Sequence, residues 1–214
     1  ITEIEGFDDL HHPDGILKEA QEKASRIYGT GETRFLVNGS TAGILSAILG
    51  CTRKGDQVLV GRNCHKSVYH AIYMNELEPV YLYPGFRPDI QLNTEISVSA
   101  VKAALNEHSR VKAVILVSPT YDGVVSDIRG IVGEVHKRGI PLIVDEAHGA
   151  HFGFHPYFPE SALGQGADVV IHSLHKTLPA LTQTALLHVD GPFADRERIF
   201  RYLDMLQSSS PSYV

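Results

Sequence analysis

The run Ala113-Val114-Ile115-Leu116-Val117 leaves no polar face for water, so a strand built from it must be covered on both sides. The chain repeats the device. Residues 141–144 are of the same kind, 167–171 and 185–189 nearly so but for Asp168 and His188, and shorter strands are predicted at 34–38, 57–60 and 79–83. Helical patterns lie between them. Ile16, Leu17, Ala20, Ala24 and Ile27 form a stripe that Gly29 stops, and a second helix over 44–49 is closed by Gly50. Others are predicted from Asn63-Cys64-His65-Lys66-Ser67 to Glu76, over 99–108, from a cap at Asp127 to near Gly139, and over 194–206. Strands that alternate with helices predict an α/β fold: three α/β/α layers around a mostly parallel seven-stranded sheet. Ligands of such sheets bind beyond the carboxyl ends of the strands.

With 214 residues, 43% hydrophobic and 21% charged, the chain has apolar mass for one substantial core. A formal charge of −6 without any basic block argues against nucleic acid or an anionic membrane as partner, which leaves a small molecule. Cys51 and Cys64 supply neither a disulfide framework nor a metal-type pair, so a reducing, cytoplasmic compartment is expected. No stretch approaches the roughly 18 apolar residues of a membrane span, and the acidic start (Glu3, Glu5, Asp8, Asp9) is unlike a signal peptide. Residues 1–14 read as an entry arm and 15–214 as the domain. The start without Met and the stop soon after Ser208-Ser209-Ser210-Pro211 read as part of a longer protein.

The polar residues fall just after the apolar runs. Gly39, Ser40 and Thr41 follow the first strand, Thr120 another, Asp145 and His148 a third, and Ser173, His175 and Lys176 a fourth. A lysine at a strand end, in a partly dry pocket, favours the neutral amine that forms Schiff bases. Small residues before a helix leave N–H groups free for an anion, so Gly39-Ser40-Thr41 suits a phosphate, with Ser173 and His175 as further ligands. A flat His65 can stack on a ring, and Asp145 near a pyridine nitrogen keeps it protonated. These are the groups that a pyridoxal 5'-phosphate site needs.

Each also has a plainer role. Ser40 suits an N-cap, His65 a cap or a solvated imidazole, Thr120 a turn, and Asp145 a cap or a metal ligand. His148, His151 and His155 beside Asp145 suggest a metal cluster, but Gly149, Gly153 and Pro156 break the helical spacing, so no metal is expected. Cys64 beside His65 suggests a thiolate nucleophile, but nothing orients that histidine.

Five stretches in order carry a resemblance: 37–43, 62–67, 118–121, 145–152 and 172–183. With them the sequence resembles the major domain of the ornithine/lysine/arginine decarboxylase family, fold type I of the pyridoxal phosphate enzymes, related to aspartate aminotransferase. The resemblance implies Lys176 as the Schiff-base lysine, Asp145 at the ring nitrogen, His65 stacked on the ring, and Ala147 and His148 along its other side. It puts Ser40, Thr41, Ser173 and His175 at the phosphate. It further implies a homodimer or higher homo-oligomer and decarboxylation of arginine, lysine or ornithine to a polyamine precursor, with Lys176 or His175 as proton donor to Cα. Leu174 stands where the family commonly has Thr. The family's upstream segment and small domain, on which substrate recognition draws, have no counterpart in these residues. An aminotransferase, an acyl-CoA-condensing synthase, or a non-catalytic assembly or ligand-sensing domain are the other readings.

Overall fold

The computed structural model describes residues 8–209, so Glu3 and Glu5 of the expected entry arm and Ser210 and Pro211 lie outside the described residues. In chain order the elements are α1 (Ile16–Tyr28), β1 (Glu32–Leu36), α2 (Gly39–Cys51), β2 (Gln57–Gly61), α3 (Lys66–Met74) and β3 (Glu78–Leu82). A two-strand ribbon follows, β4 (Phe86–Arg87) with β5 (Leu92–Asn93), then α4 (Val98–Glu107), β6 (Val111–Val117) and α5 (Ile128–His136). The chain continues through β7 (Leu142–Asp145), β8 (Val169–Ser173), α6 (Leu174–Thr177), β9 (Ala185–Val189) and α7 (Arg196–Leu206).

The main sheet has seven strands in the order β1-β9-β8-β7-β6-β2-β3. Strand β9 runs antiparallel to both neighbours, and the other pairings are parallel. The apolar residues of β7 and β8 divide between the two faces by the two-residue period of the pleat. Ile143, Val169 and Ile171 join the core under α2 and α7, whereas Leu142, Val144 and Val170 join the one under α4 and α5. Helices therefore cover both faces, as the runs demand. Among the described residues no helix is long and apolar enough to cross a membrane.

Three local expectations are corrected. Helix α1 does not bury the predicted stripe: Ile16 and Ile27 are exposed and Gln21 is buried. It lies against edge strand β1, where the Gln21 side-chain Oε1 accepts the Phe35 N–H at 2.8 Å and occupies a backbone donor that a core aliphatic residue would leave unpaired. The edge strand is shifted to Glu32–Leu36, because its register with β9 pairs Glu32 with Val189 and Leu36 with Ala185. Helix α2 runs through Gly50 to Cys51, and Gly50 serves close approach rather than termination. A Cβ there would lie 2.7 Å from Ile199 Cα and 2.8 Å from its nitrogen. Gly50→Ala therefore sets a helix-propensity gain of about 1 kcal/mol against overpacking on backbone that costs roughly 1–3 kcal/mol. Urea unfolding is expected to show net destabilisation, with α7 displaced from α2; an unchanged or raised midpoint would mean that the helices have slack.

Candidate active site

Strands β1, β6, β7 and β8 run the same way, so their carboxyl ends share one rim. There a cavity of about 330 Å³ is lined by Ser40, Asn63, His65, Val117, Tyr121, Asp145, Ala147, His148 and Lys176. Six of these are residues singled out from the sequence; Gly39, Thr41, Thr120, Ser173 and His175 are not in the lining.

Lys176 sits in the one-turn helix α6, which starts directly at the end of β8 and stops before Pro179. It is exposed, not held in the partly dry pocket that its position suggested, because the short turn lifts it onto the open rim. Its Nζ lies 3.2 Å from His148 Nε2, so the ammonium donates to that nitrogen. The loop after it folds back: the Gly39 N–H donates to the Gln183 carbonyl at 2.9 Å. This bond secures the start of α2, where Gly39 takes φ +69, a value costly for any side chain with a Cβ. The helix has Asn38 as N-cap without a side-chain cap bond, so Ser40 is not the cap but the second residue of the first turn.

Asp145 is buried at the end of β7 and accepts the Ala147 N–H at 3.2 Å. Burial pushes its carboxyl up to about 6, against the pull of that N–H and of the Lys176 ammonium. His65 caps α3: its Nδ1 accepts the Ser67 N–H at 3.2 Å and faces the Ser67 hydroxyl at 2.9 Å. A capping Nδ1 leaves the proton on Nε2, and the cap fixes the ring where it lines the cavity. Desolvation first and the Lys176 charge second lower the basicity of both His65 and His148.

The other predicted residues have local engagements. The Thr120 hydroxyl accepts the Val124 N–H at 3.1 Å, and the Gly123 N–H donates to the Thr120 carbonyl, which is turn chemistry. His175 donates from Nδ1 to the Thr184 carbonyl at 3.1 Å. The Ser173 hydroxyl is fully buried and has no hydrogen-bond partner among the described residues, a cost of about 1–3 kcal/mol unless something bonds it. His151 packs between Phe152 and Phe158, while the His155 ring accepts the Tyr157 N–H. Among the described residues no group of three or more His, Cys, Asp or Glu is arranged to hold a metal ion.

Sequence reasoning missed Asn63, Val117 and Tyr121. Asn63 carries a buried Oδ1 without a partner among the described residues, and Tyr121 sets its ring edge-on to His148 at 5.7 Å. Both stand inside stretches 62–67 and 118–121, next to the histidine and threonine that drew the eye. A larger groove of about 550 Å³ between α1 and β1, lined by Lys18, Gln21 and Arg34 among others, contains none of the lining residues of the rim cavity. The rim is the better candidate because an amine, a buried acid and two imidazoles converge there.

The family profile described as "Orn/Lys/Arg decarboxylase, major domain" matches residues 1–214. An uncharacterized protein of Bacillus subtilis, YaaO, is 50% identical over 214 residues, all of this chain and 45% of that protein. An arginine decarboxylase of Bacillus cereus is 37% identical over the same length, 46% of its own. The structure of lysine decarboxylase A from Pseudomonas aeruginosa superposes with a TM-score of 0.86 at 28% identity, over 99% of this chain and 31% of that one. The chain spans about half the length of the curated relatives it matches. Its 214 residues belong to the ornithine/lysine/arginine decarboxylase family, as the major domain.

Proposed function

We propose that the full-length protein removes carbon dioxide from a basic amino acid, arginine, lysine or ornithine, with pyridoxal 5'-phosphate held by Lys176. The observation that carries this reading is the convergence of Lys176, Asp145, His65 and His148 on one cavity. The arginine and lysine decarboxylases among the relatives support the substrate class. The residues fit the cofactor: in the cavity lining the buried Asn63 side-chain oxygen has no hydrogen-bond partner among the described residues, and the first turn of α2 offers N–H groups to a phosphate beside Ser40.

When bound, pyridoxal phosphate supplies a conjugated ring that takes up the electron pair of the bond from Cα to the carboxylate. The chain's own groups prepare and close that step. Lys176 would react as the neutral amine, its proton passing to solvent at the open rim, and the uncharged His148 Nε2, 3.2 Å away, accepts its hydrogen bond and orients it. Asp145 holds a proton on the ring nitrogen; a cationic partner there returns its carboxyl to the ionised form. His65, fixed by its cap in the cavity lining, would pack against the cofactor ring, and Ser40, with Thr41, Ser173 and His175 next to the lining, would hold its phosphate. Lys176 or His175 returns a proton to Cα.

Full-length protein incubated with arginine, lysine and ornithine is expected to release carbon dioxide from at least one of them, dependent on added cofactor. Transamination without gas would sink the decarboxylase reading.

A further inference from the structure

On the sheet face that α1 covers, four neighbouring positions carry one polar residue each, and all four are buried: Thr33 on β1, His188 on β9, His172 on β8 and Glu146 just after β7. They form one file. Thr33 Oγ1 lies 2.8 Å from His188 Nδ1, His188 Nε2 lies 3.1 Å from His172 Nδ1, and His172 Nε2 lies 2.6 Å from Glu146 Oε2. Glu146 also accepts the Ser161 hydroxyl at 2.6 Å and the Ala162 N–H at 2.9 Å. Tyr28 of α1 lies over both imidazoles, its ring centroid 5.0 Å from that of His172 and 4.8 Å from that of His188, and its hydroxyl donates to the Ala150 carbonyl.

A carboxylate and two imidazoles in a core are a costly way to fill space, since apolar side chains of similar volume are commonly as stable or more so. What the file secures is one turn. The Glu146 N–H donates to the Ile171 carbonyl at 3.0 Å, and the Gly149 N–H to the Glu146 carbonyl at 2.8 Å. The same turn carries Asp145 on one side of Glu146 and His148 on the other, both in the cavity lining.

We propose that His172 is a positioning residue: gripping Glu146 in front and backed by His188, it holds the 145–149 turn so that Asp145 and His148 stay aligned with Lys176. The carboxylate accepts, so His172 donates from Nε2, and the ring's other nitrogen meets His188. Burial and the neighbouring His172 keep His188 well below the ordinary imidazole range, so it serves as a neutral brace. The groups that face His172 are Glu146, His188 and Tyr28, with Asp145 one residue beyond the first of them. The role in catalysis rests on the decarboxylase reading; the grip on the turn does not.

The test uses full-length His172→Leu and His172→Gln, since glutamine retains an N–H for Glu146 and a carbonyl for His188. The leucine variant is expected to lower kcat by about 10- to 100-fold with KM within about threefold, as for a lost supporting contact. It is also expected to shift the pH midpoint of the lysine-bound cofactor absorbance. In cofactor-free protein, amides 145–152 exchange hydrogen at least about tenfold faster than in wild type, as expected of a locally loosened segment. Glutamine restores all three. If leucine lowers only the melting temperature, or glutamine rescues nothing, the proposal is overturned. Should wild type show neither absorbance nor gas release, the decarboxylase reading fails, and the exchange rates alone decide the grip on the turn. If the leucine variant does not fold, His172→Asn takes its place, polar but too short to reach Glu146.

Discussion

With Lys176 replaced by alanine, full-length protein is expected to lack the visible absorbance proposed for lysine-bound pyridoxal phosphate and to release carbon dioxide about 10,000-fold more slowly or worse than wild type. The size follows from the absence of a second amine in the lining: of the nine residues around the cavity, Lys176 is the only lysine. A rim lysine without such a role, which its exposure would also permit, leaves both readings unchanged. The substitution has a second, independent consequence. Lys176 contributes to the lowered basicity of His65 and His148, after desolvation, so removing its charge lets both imidazoles hold their protons to higher pH. Histidine titration by NMR on cofactor-free protein reads this directly. If neither curve moves, the ammonium does not act on those rings, and the cavity loses its organising cation.

The long apolar strands were legible because a residue run with no polar face has few places to go: β6, β7 and β9 fall within two residues of their predicted bounds. Their alternation with helices then limited the topology, and the rim followed from strand direction. Less legible were features set by tertiary contact. Gln21 is buried because a neighbouring edge strand offers an N–H, which no periodicity records. Gly50 looks like a helix stop until Ile199, nearly 150 positions away, fills the space. The file from Thr33 to Glu146 draws on four separated segments; Glu146 and His172 fall in the resemblance stretches 145–152 and 172–183, but nothing in the linear sequence joins them to each other or to His188 and Thr33. Asn63 escaped because a lone amide has no pattern; only its unpaired, buried oxygen marks it.

Asp145→Asn is expected to make the cofactor-free protein more stable while removing most of its activity. The folded carboxyl titrates near 6 and an unfolded one near 3.8, so the fold favours the protonated acid. Between those values the folded state binds more protons than the unfolded state, and stability falls as pH rises through the window. Above pH 6 the whole cost is present. Two units correspond to about 3 kcal/mol, and Asp145 is buried deeply enough that solvent screening removes little of it. Asparagine keeps the shape and an oxygen for the Ala147 N–H without the charge. Urea unfolding of cofactor-free protein is therefore expected to favour the variant by up to about 3 kcal/mol at pH 8 and to show no difference below about pH 3. Loaded with pyridoxal phosphate the order reverses, because a cationic ring nitrogen repays the buried carboxylate and asparagine offers it no charge. Gas release then falls by about 100-fold or more, the scale of losing one preorganised charge in a dry site. A variant no more stable than wild type at pH 8 would show that Asp145 is not held at the expense of the fold, and with that the strongest physical sign that this carboxylate awaits a cationic partner would be gone.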